Sequence, residues 1–202
     1  MIAKVYSVVV SGLDGQLVEV EVDIHNGMPA FIIVWLPDTA IQESRERVRS
    51  AIKNSDLPFP RTKITVNLAP ADIKKTGPSF DLPIALGILQ EECKIDQSIL
   101  DETLVVGELA LDGAVRAVQA VLPTVIFAKE KWYKRVIVPE ENAIEAALIP
   151  WVEIVSAKNI AEIVRMLSGS LPIAIQPPSS IADIESHNPH ELVDFSQIVG
   201  QQ

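Results

Sequence analysis

The sequence predicts an α/β fold in which a mixed sheet is flanked by helices. Acidic and apolar residues alternate between Leu17 and Ile24, directly after a valine-rich segment, which indicates an antiparallel hairpin. From residue 104 onwards strand and helix patterns alternate, which is typical of parallel strands joined by helices. With 202 residues, 48% of them hydrophobic and 22% charged, the chain is long enough for one domain with a full core.

The first part of the chain predicts three strands. Val5–Val10 forms the first strand, Asp14–Gly15 makes a hairpin turn, and Leu17–Ile24 forms a second strand with one face in solvent. Phe31–Leu36 is apolar on both faces, so we expect it in the interior of the sheet.

A helix is predicted over residues 39–54, with Thr39 and Gln42 as a capping box. Its apolar face is formed by Ile41, Val48 and Ile52. A strand over Lys63–Leu68, a polar loop over Asp72–Ser79 and a helix over Asp81–Leu89 follow in order.

The second half predicts four strands and three helices. The strands are Leu104–Val106, Val115–Val118, Val136–Val138 and Val152–Val155. The helices are Leu122–Trp132, Glu141–Ile149 and Asn159–Leu167. This order predicts parallel pairing late in the chain.

The predicted domain covers residues 1–175. A Pro/Ser-rich stretch over residues 176–192 has the composition of a linker, and residues 193–202 regain apolar character.

Charge and cysteine content exclude several classes of protein. The net charge of −10 disfavours a protein that coats nucleic acid with its whole surface, and a lone Cys93 excludes a disulfide-built domain. The sequence shows no signal peptide, and its longest apolar runs are shorter than the roughly 20 residues that span a bilayer. We therefore expect a cytoplasmic protein that does not enter a membrane.

The segment from Lys74 to Leu82 is the most unusual part of the chain. Gly77 permits a close backbone approach, and the loop leads into a helix N-terminus that can hold an anion. Ser79 is a candidate nucleophile, and an ordinary turn with a capping side chain is the third interpretation. The phosphate-binding pattern G-x-x-x-x-G-K-[ST] does not occur in these 202 residues.

Basic residues are concentrated between Arg45 and Lys75, a segment that contains eight basic residues and three acidic ones. A basic patch on an acidic protein is typical of a specific anionic partner. A solvated helix face is the alternative.

The three histidines, at positions 25, 187 and 190, lack supporting ligands, so we predict no metal site. Trp35, Trp132 and Trp151 are far apart in sequence, so we expect each to pack separately in the core or at its edge.

Four segments together resemble the magnesium-chelatase-like AAA+ ATPases of the YifB/ComM (competence protein) family. These segments are Val34–Arg49, Ile64–Asp72 with Lys75 and Gly77, Phe80–Ala85 and Gly107–Gly113. The resemblance covers nearly all of residues 1–175, and Trp35 departs from it because the family normally has glycine there.

The N-terminal region of that family is similar to the fold of the Lon protease domain, a ribosomal-protein-like βαβ fold. The resemblance identifies Ser79 with the Lon nucleophile and Leu122 with the position of its lysine partner. Because a serine hydroxyl needs a base to attack at neutral pH, we expect no peptidase activity and a vestigial Ser79.

The resemblance also extends to the C-terminal residues, where Val199 and Gly200 match part of an adenine pocket. It implies an N-terminal fragment of a hexameric ATPase whose full-length form uses ATP and Mg²⁺, with its own AAA+ module and sister subunits as partners. The fragment itself would bind no cofactor.

In this family the parent protein is linked to branch migration of DNA in natural transformation, and the resemblance implies that this domain helps to assemble the ring or to guide DNA. The residues expected to contact DNA are Arg49, Lys53, Arg61, Lys74 and Lys75. Two alternatives remain at this point: a divergent serine peptidase using Ser79, and a chelatase-type motor acting on a tetrapyrrole.

Overall fold

A computed structural model describes residues 2–34, 39–73, 75 and 77–187, without the side chains of 39–42 and 185–187. Within these residues a seven-stranded mixed sheet runs from β3 (Ala30–Val34) at one edge through β4 (Lys63–Ala69), β2 (Asp14–His25), β1 (Ile2–Ser11), β5 (Thr103–Val105) and β8 (Arg135–Pro139) to β9 (Glu153–Ala157) at the other edge. A separate two-stranded sheet pairs β6 (Glu108–Leu109) with β7 (Val115–Arg116). The predicted α/β class with a mixed sheet is therefore confirmed.

The sheet begins with the predicted hairpin, in which β1 (Ile2–Ser11) pairs with β2 (Asp14–His25). The predicted turn at Asp14–Gly15 is wrong, because Ser11 pairs with Asp14 and leaves Gly12 and Leu13 as the turn. Gly12 supplies the positive φ, 65°, that a two-residue hairpin turn requires. Along β2, Val18, Val20 and Val22 are buried, as their alternation with acids predicts.

The strand β3 (Ala30–Val34) lies at the edge of the sheet and not in its interior, which corrects the prediction for this segment. It pairs in parallel with β4 (Lys63–Ala69) on one side only. Phe31 and Ile33 pack against the core, whereas Ile32 and Val34 are 42% and 44% exposed. Hydrophobic residues on both faces of a short strand therefore do not establish that both faces are covered.

The helix α1 (Thr39–Asn54) has the predicted bounds and buries Val48 and Ile52. The helix α2 (Asp81–Leu89) is buried along its whole length. A Cβ at Gly87 of α2 would lie 2.5 Å from a methyl group of Val22, so only glycine lets this helix approach β2 so closely.

The second half alternates as predicted, with shorter elements. The helices are α3 (Gln97–Asp101), α4 (Val121–Glu130), α5 (Ala143–Ala146) and α6 (Ile160–Leu167). The strands are β5 (Thr103–Val105), β6 (Glu108–Leu109), β7 (Val115–Arg116), β8 (Arg135–Pro139) and β9 (Glu153–Ala157). Strands β1, β5, β8 and β9 pair in parallel, which confirms the predicted pairing for three of the four late strands. The fourth, predicted over Val115–Val118, is β7, which pairs antiparallel with β6 outside the main sheet.

Two hydrophobic clusters stabilise the sheet. The larger one joins the sheet to residues of α1, α2 and α6, among them Ile52, Leu86 and Ile163. The smaller one joins it to residues of α4 and α5, among them Val125 and Ala146. The sheet is thus flanked by helices, as predicted.

Residues 176–187, which fall within the predicted linker, contact the domain. The backbone N–H of Gln176 donates to the carbonyl of Ile154, and that of Ser179 donates to the carbonyl of Ala147. A helix, α7 (Ile181–His187), follows. The boundaries at residues 175 and 192 remain a prediction.

No helix among the residues that the structure describes is long and apolar enough to span a membrane.

Candidate functional site

The Gly77–Pro78–Ser79 segment forms a tight turn at the entrance to α2. Gly77 has φ 84°, a backbone conformation that glycine adopts without strain, and Pro78–Phe80 forms one turn of 3-10 helix. The carbonyl of Ser79 accepts the N–H of Gly107 at 3.1 Å, and the N–H of Leu82 donates to the carbonyl of Gly107 at 3.1 Å. This pair of hydrogen bonds fixes the turn against the chain between β5 and β6.

Ser79 is half-buried and lines a cavity of about 520 Å³. The other lining residues come from β1, the chain from 106 to 108 and the entrance to α4: Val8, Val9, Val10, Gly77, Pro78, Val106, Glu108, Ala117, Val118, Gln119, Ala120 and Thr124. Among these described residues Glu108 is the charged side chain, and neither lysine nor histidine lines the cavity.

Leu122, which the Lon resemblance places at the lysine position, lies in the first turn of α4. It is not among the described residues lining the Ser79 cavity, although Ala120 and Thr124 on either side of it are. Its backbone N–H donates to a carboxylate oxygen of Glu145 at 3.3 Å.

A buried ion pair holds α1 against the start of α2, two residues after Ser79. Asp81 is fully buried and accepts from Nε of Arg47 at 2.7 Å, from a terminal nitrogen of Arg47 at 3.1 Å and from the hydroxyl of Ser44. The N–H of Leu109 donates to the same carboxylate at 3.3 Å. We call this Asp81 network the clamp.

Burial dominates the electrostatics of the clamp. It raises the pKa of Asp81 above its ordinary value, although the hydrogen bonds from Arg47 and Ser44 oppose that shift. The hydrogen bond to Asp81 raises the pKa of Arg47. No local sequence pattern marks this ion pair, because Arg47 and Asp81 are far apart in the chain.

Three of the five predicted DNA contacts lie together on one surface. Arg49 and Lys53 on α1 and Arg61 before β4 line a cleft of about 600 Å³. Phe31 and Phe59 line the same cleft, and their ring centroids are 6.2 Å apart.

Two of the three cations of this cleft lie over one aromatic ring. The guanidinium carbon of Arg49 and Nζ of Lys53 are 5.9 Å and 5.8 Å from the ring centroid of Phe59. Asp56 is the acidic side chain among the described residues of the cleft. We call the surface formed by Phe31, Arg49, Lys53, Phe59 and Arg61 the cationic cleft.

The remaining two candidates do not extend the cationic cleft. Lys75 is 4% exposed, and its ammonium donates to the carbonyls of Pro70 and Ile73, so it does not present a charge to solvent. Burial lowers its pKa. Lys74 lies outside the described residues.

Several other predicted features fall outside the described residues: Trp35, the side chains of Thr39, Gln42 and Ile41, and the proposed adenine-pocket residues Val199 and Gly200. His25 lies beside Asp23 on the surface, with 3.0 Å between Nδ1 of His25 and Oδ2 of Asp23. Within the residues that the structure describes, no group of three or more His, Cys, Asp or Glu side chains is placed to hold a metal ion.

The prediction that each tryptophan packs in the core or at its edge is wrong for two of them. Trp132 and Trp151 are 92% and 89% exposed and line one cavity. Trp132 lies between α4 and β8, and Trp151 lies just before β9. The two positions are close together because β8 and β9 are neighbouring strands.

The fold and the Gly-Pro-Ser turn define a Lon-like domain. Lon protease 2 of Bacillus subtilis is 33% identical over 113 residues, which are 54% of this chain and 19% of that protein. This similarity confirms the predicted fold.

More extensive similarity identifies the family. The family model for subunit ChlI of Mg-chelatase matches residues 20–142. The competence protein ComM of Haemophilus influenzae is 39% identical over 204 residues, and YifB of Salmonella typhimurium is 37% identical over 201 residues; both matches cover the whole of this chain. The chain belongs to the magnesium-chelatase-like ChlI/ComM/YifB family. It spans about two fifths of the length of these relatives, 39% of ComM and 38% of YifB.

Proposed function

We propose that this chain is a non-catalytic domain of a hexameric, magnesium-chelatase-like AAA+ ATPase in the cytoplasm, and that its cationic cleft guides DNA during branch migration. ATP and Mg²⁺ would be bound by the full-length protein outside the described residues. The relative named as a competence protein supports a connection with DNA uptake.

The observation that carries the proposal is the composition of the cationic cleft. Three cations and two aromatic rings share a surface on a protein with net charge −10. Cations neutralise phosphates, and aromatic faces stack on unpaired bases, so the cleft combines the two contacts that a nucleic-acid strand makes.

The proposal that the domain is non-catalytic rests on the Ser79 cavity. The hydroxyl of Ser79 requires a base to become a nucleophile, and the described lining residues of its cavity supply neither lysine nor histidine. In this proposal Ser79 has only a structural role, in the turn that leads into α2.

Charge reversal in the cationic cleft tests the DNA contact. We expect the variant Arg49→Glu, Lys53→Glu, Arg61→Glu to lose most of its affinity for a labelled four-way junction, measured by fluorescence anisotropy. A matched control reverses three exposed cations that lie in neither the cleft nor another described cavity, Lys94→Glu, Lys158→Glu and Arg165→Glu, and changes the net charge equally. Equal losses in both variants would show that only overall charge matters and would contradict a contact in the cleft.

A half-buried Ser79 beside a cavity is also the observation that favours the second candidate, a serine peptidase. A fluorescent casein assay distinguishes the two. We expect no turnover by the wild type, whereas turnover that disappears in Ser79→Ala would contradict a non-catalytic domain.

A further inference from the structure

Two exposed tryptophans form an apolar surface that is separate from the cationic cleft. Trp132 and Trp151 line a cavity of about 670 Å³ together with Ile126, Tyr133 and Ile149. Both tryptophans have positive φ, 63° and 79°, which is a costly conformation for a bulky side chain. Single exposed hydrophobic residues are normal on a protein, but two neighbouring indoles that are about nine-tenths exposed indicate an interaction surface.

Basic and acidic side chains lie on different sides of this surface. Lys129 and Lys134 line the cavity that the tryptophans share, and Glu130 is the acidic residue among its described lining residues. On the other side of Trp132 lies a second cavity of about 850 Å³, whose charged lining is mainly acidic. The acidic lining residues are Asp72, Asp101 and Glu102, and Lys131 is the basic one among the described residues.

Trp132 and Tyr133 line both cavities, so they form the ridge between a mainly basic half and a mainly acidic half. Among the described residues, Lys129, Lys134, Asp101 and Glu102 form no ion pair with one another or with other side chains. Unpaired charges of both signs therefore face outward on either side of an apolar ridge.

We infer that this surface binds a second copy of the chain around a two-fold axis that passes near Trp132. A two-fold axis that runs along the ridge places the basic half of one copy over the acidic half of the other, twice. The surface is thus self-complementary in charge. The Trp132 side chains of the two copies meet at its centre, and Trp151 of each copy lies in the basic half. Nucleic acid fits this surface less well, because the three carboxylates beside Trp132 would face its phosphates.

The buried area sets the strength of the contact. Each large aromatic side chain buries about 150–250 Å², so the four indoles of a dimer supply about 600–1,000 Å². A stable interface needs about 1,200–2,000 Å². The indoles provide roughly half of that area and the charged rims the rest, so the dimer forms reversibly and depends on concentration.

Sedimentation equilibrium of the wild-type chain from about 1 μM to about 200 μM tests the inference, with a dimer expected to form over that range. Substitution Trp132→Ala with Trp151→Ala should weaken the dimer about tenfold or more. The control, Leu13→Ala with Leu111→Ala, removes two other exposed hydrophobic side chains and should leave association unchanged. Because all four positions are exposed, circular dichroism should show an unchanged fold.

Charge exchange between two variants tests the two-fold geometry itself. Lys129→Glu, Lys134→Glu places carboxylates in both halves, and Asp101→Lys, Glu102→Lys places ammonium groups in both halves, so each variant alone should be monomeric. An equimolar mixture should form a heterodimer, because each variant then complements the other at both contacts.

Three outcomes would overturn the inference. These are a wild type that stays monomeric throughout the range, a Trp132/Trp151 variant that associates like the wild type, and a mixture that does not restore dimers. None of them bears on the DNA contact of the cationic cleft, so the two proposals fail separately.

Discussion

Ser79 lies where the resemblance to Lon proteases places the nucleophile, and its carbonyl is bound to the N–H of Gly107. The same turn leads directly into the buried α2. The backbone carbonyl of Ser79 thus stabilises the turn independently of its hydroxyl. Leucine at position 122 agrees with this role, since it offers no amine to a neighbouring hydroxyl.

Trp132 is a residue whose local conformation conflicts with its type. It follows α4 with φ 63°, a position at a helix C-terminus where glycine is usual, and its side chain is 92% exposed. We predict that Trp132→Gly raises the free energy of unfolding of the monomer by about 0.5–1 kcal/mol, because the left-handed conformation no longer carries a side chain. Urea denaturation at low protein concentration measures this change.

Trp132→Ala is the matched control for that substitution, because alanine removes the indole but keeps Cβ in the left-handed conformation. It should show no comparable gain. If glycine and alanine have the same effect, relief of backbone strain is not the cause.

Tyr133 gives a pH-dependent prediction. Burial raises its pKa to about 12, and its ring centroid lies 5.9 Å from that of Tyr6. The folded state therefore retains the phenol proton where the unfolded state, with a pKa of about 10, has lost it. The stability contributed by Tyr133 is fully present below about pH 10 and is lost as the pH rises towards 12.

Absorbance at the tyrosinate band measures this titration. The folded wild type should ionise later than the urea-unfolded chain, and Tyr133→Phe should remove the most delayed transition. Ionisation of both tyrosines near pH 10 in the folded chain would contradict the buried position of Tyr133.

At the scale of elements, the clamp joins α1 and α2 to the strand β6. We predict that Arg47→Met lowers the free energy of unfolding by about 3 kcal/mol at neutral pH, because it leaves the fully buried Asp81 without its cation. Arg116→Met is the control: Arg116 is exposed and 3.6 Å from Glu108, so its loss should cost less than about 1 kcal/mol.

The pH dependence of the Arg47→Met variant tests the same explanation. A protonated Asp81 needs no cation, and loss of Arg47 removes an interaction that lowers the pKa of Asp81. The deficit relative to wild type should therefore shrink as the pH falls. A deficit that is constant from neutral to acid pH would mean that lost packing, and not the ion pair, is responsible.

The bounds of individual helices were easier to predict from the sequence than the order in which the strands lie in the sheet. The bounds of α1 and α2 follow from local apolar patterns and match the structure. The local sequence of β3 did not predict its position at the edge of the sheet, because strand order depends on how α1 returns the chain to β4.

The same limit explains the outcome for the candidate site residues. Arg49 and Lys53 are four residues apart on one helix, so their shared face is predictable. Arg61 joins them only through the connection from α1 to β4, and Lys75 turns inward to backbone carbonyls. Pairing of Trp132 with Trp151 depends on the adjacency of β8 and β9, which are separated by α5 in the chain.

On the scale of the whole molecule, charge and apolar surface are segregated. The cationic cleft lies at the β3 edge and beside α1, whereas the exposed tryptophans lie next to the end of α4 and before β9, at the other side of the sheet. On an acidic protein the three cations of the cleft attract an anion to that edge of the sheet, whereas the second surface carries charges of both signs. The two surfaces can therefore act without interfering.

The salt dependence of DNA binding tests the DNA-guiding role most directly. The affinity of the wild-type chain for a four-way junction should fall as salt rises from about 50 mM to about 200 mM, with a slope set by the phosphates that it neutralises. Neutralising the cleft with Arg49→Gln, Lys53→Gln and Arg61→Gln should reduce that slope by about 2–3, one for each lost phosphate contact. Equal slopes for the variant and the wild type would contradict the assignment of DNA contacts to the cationic cleft.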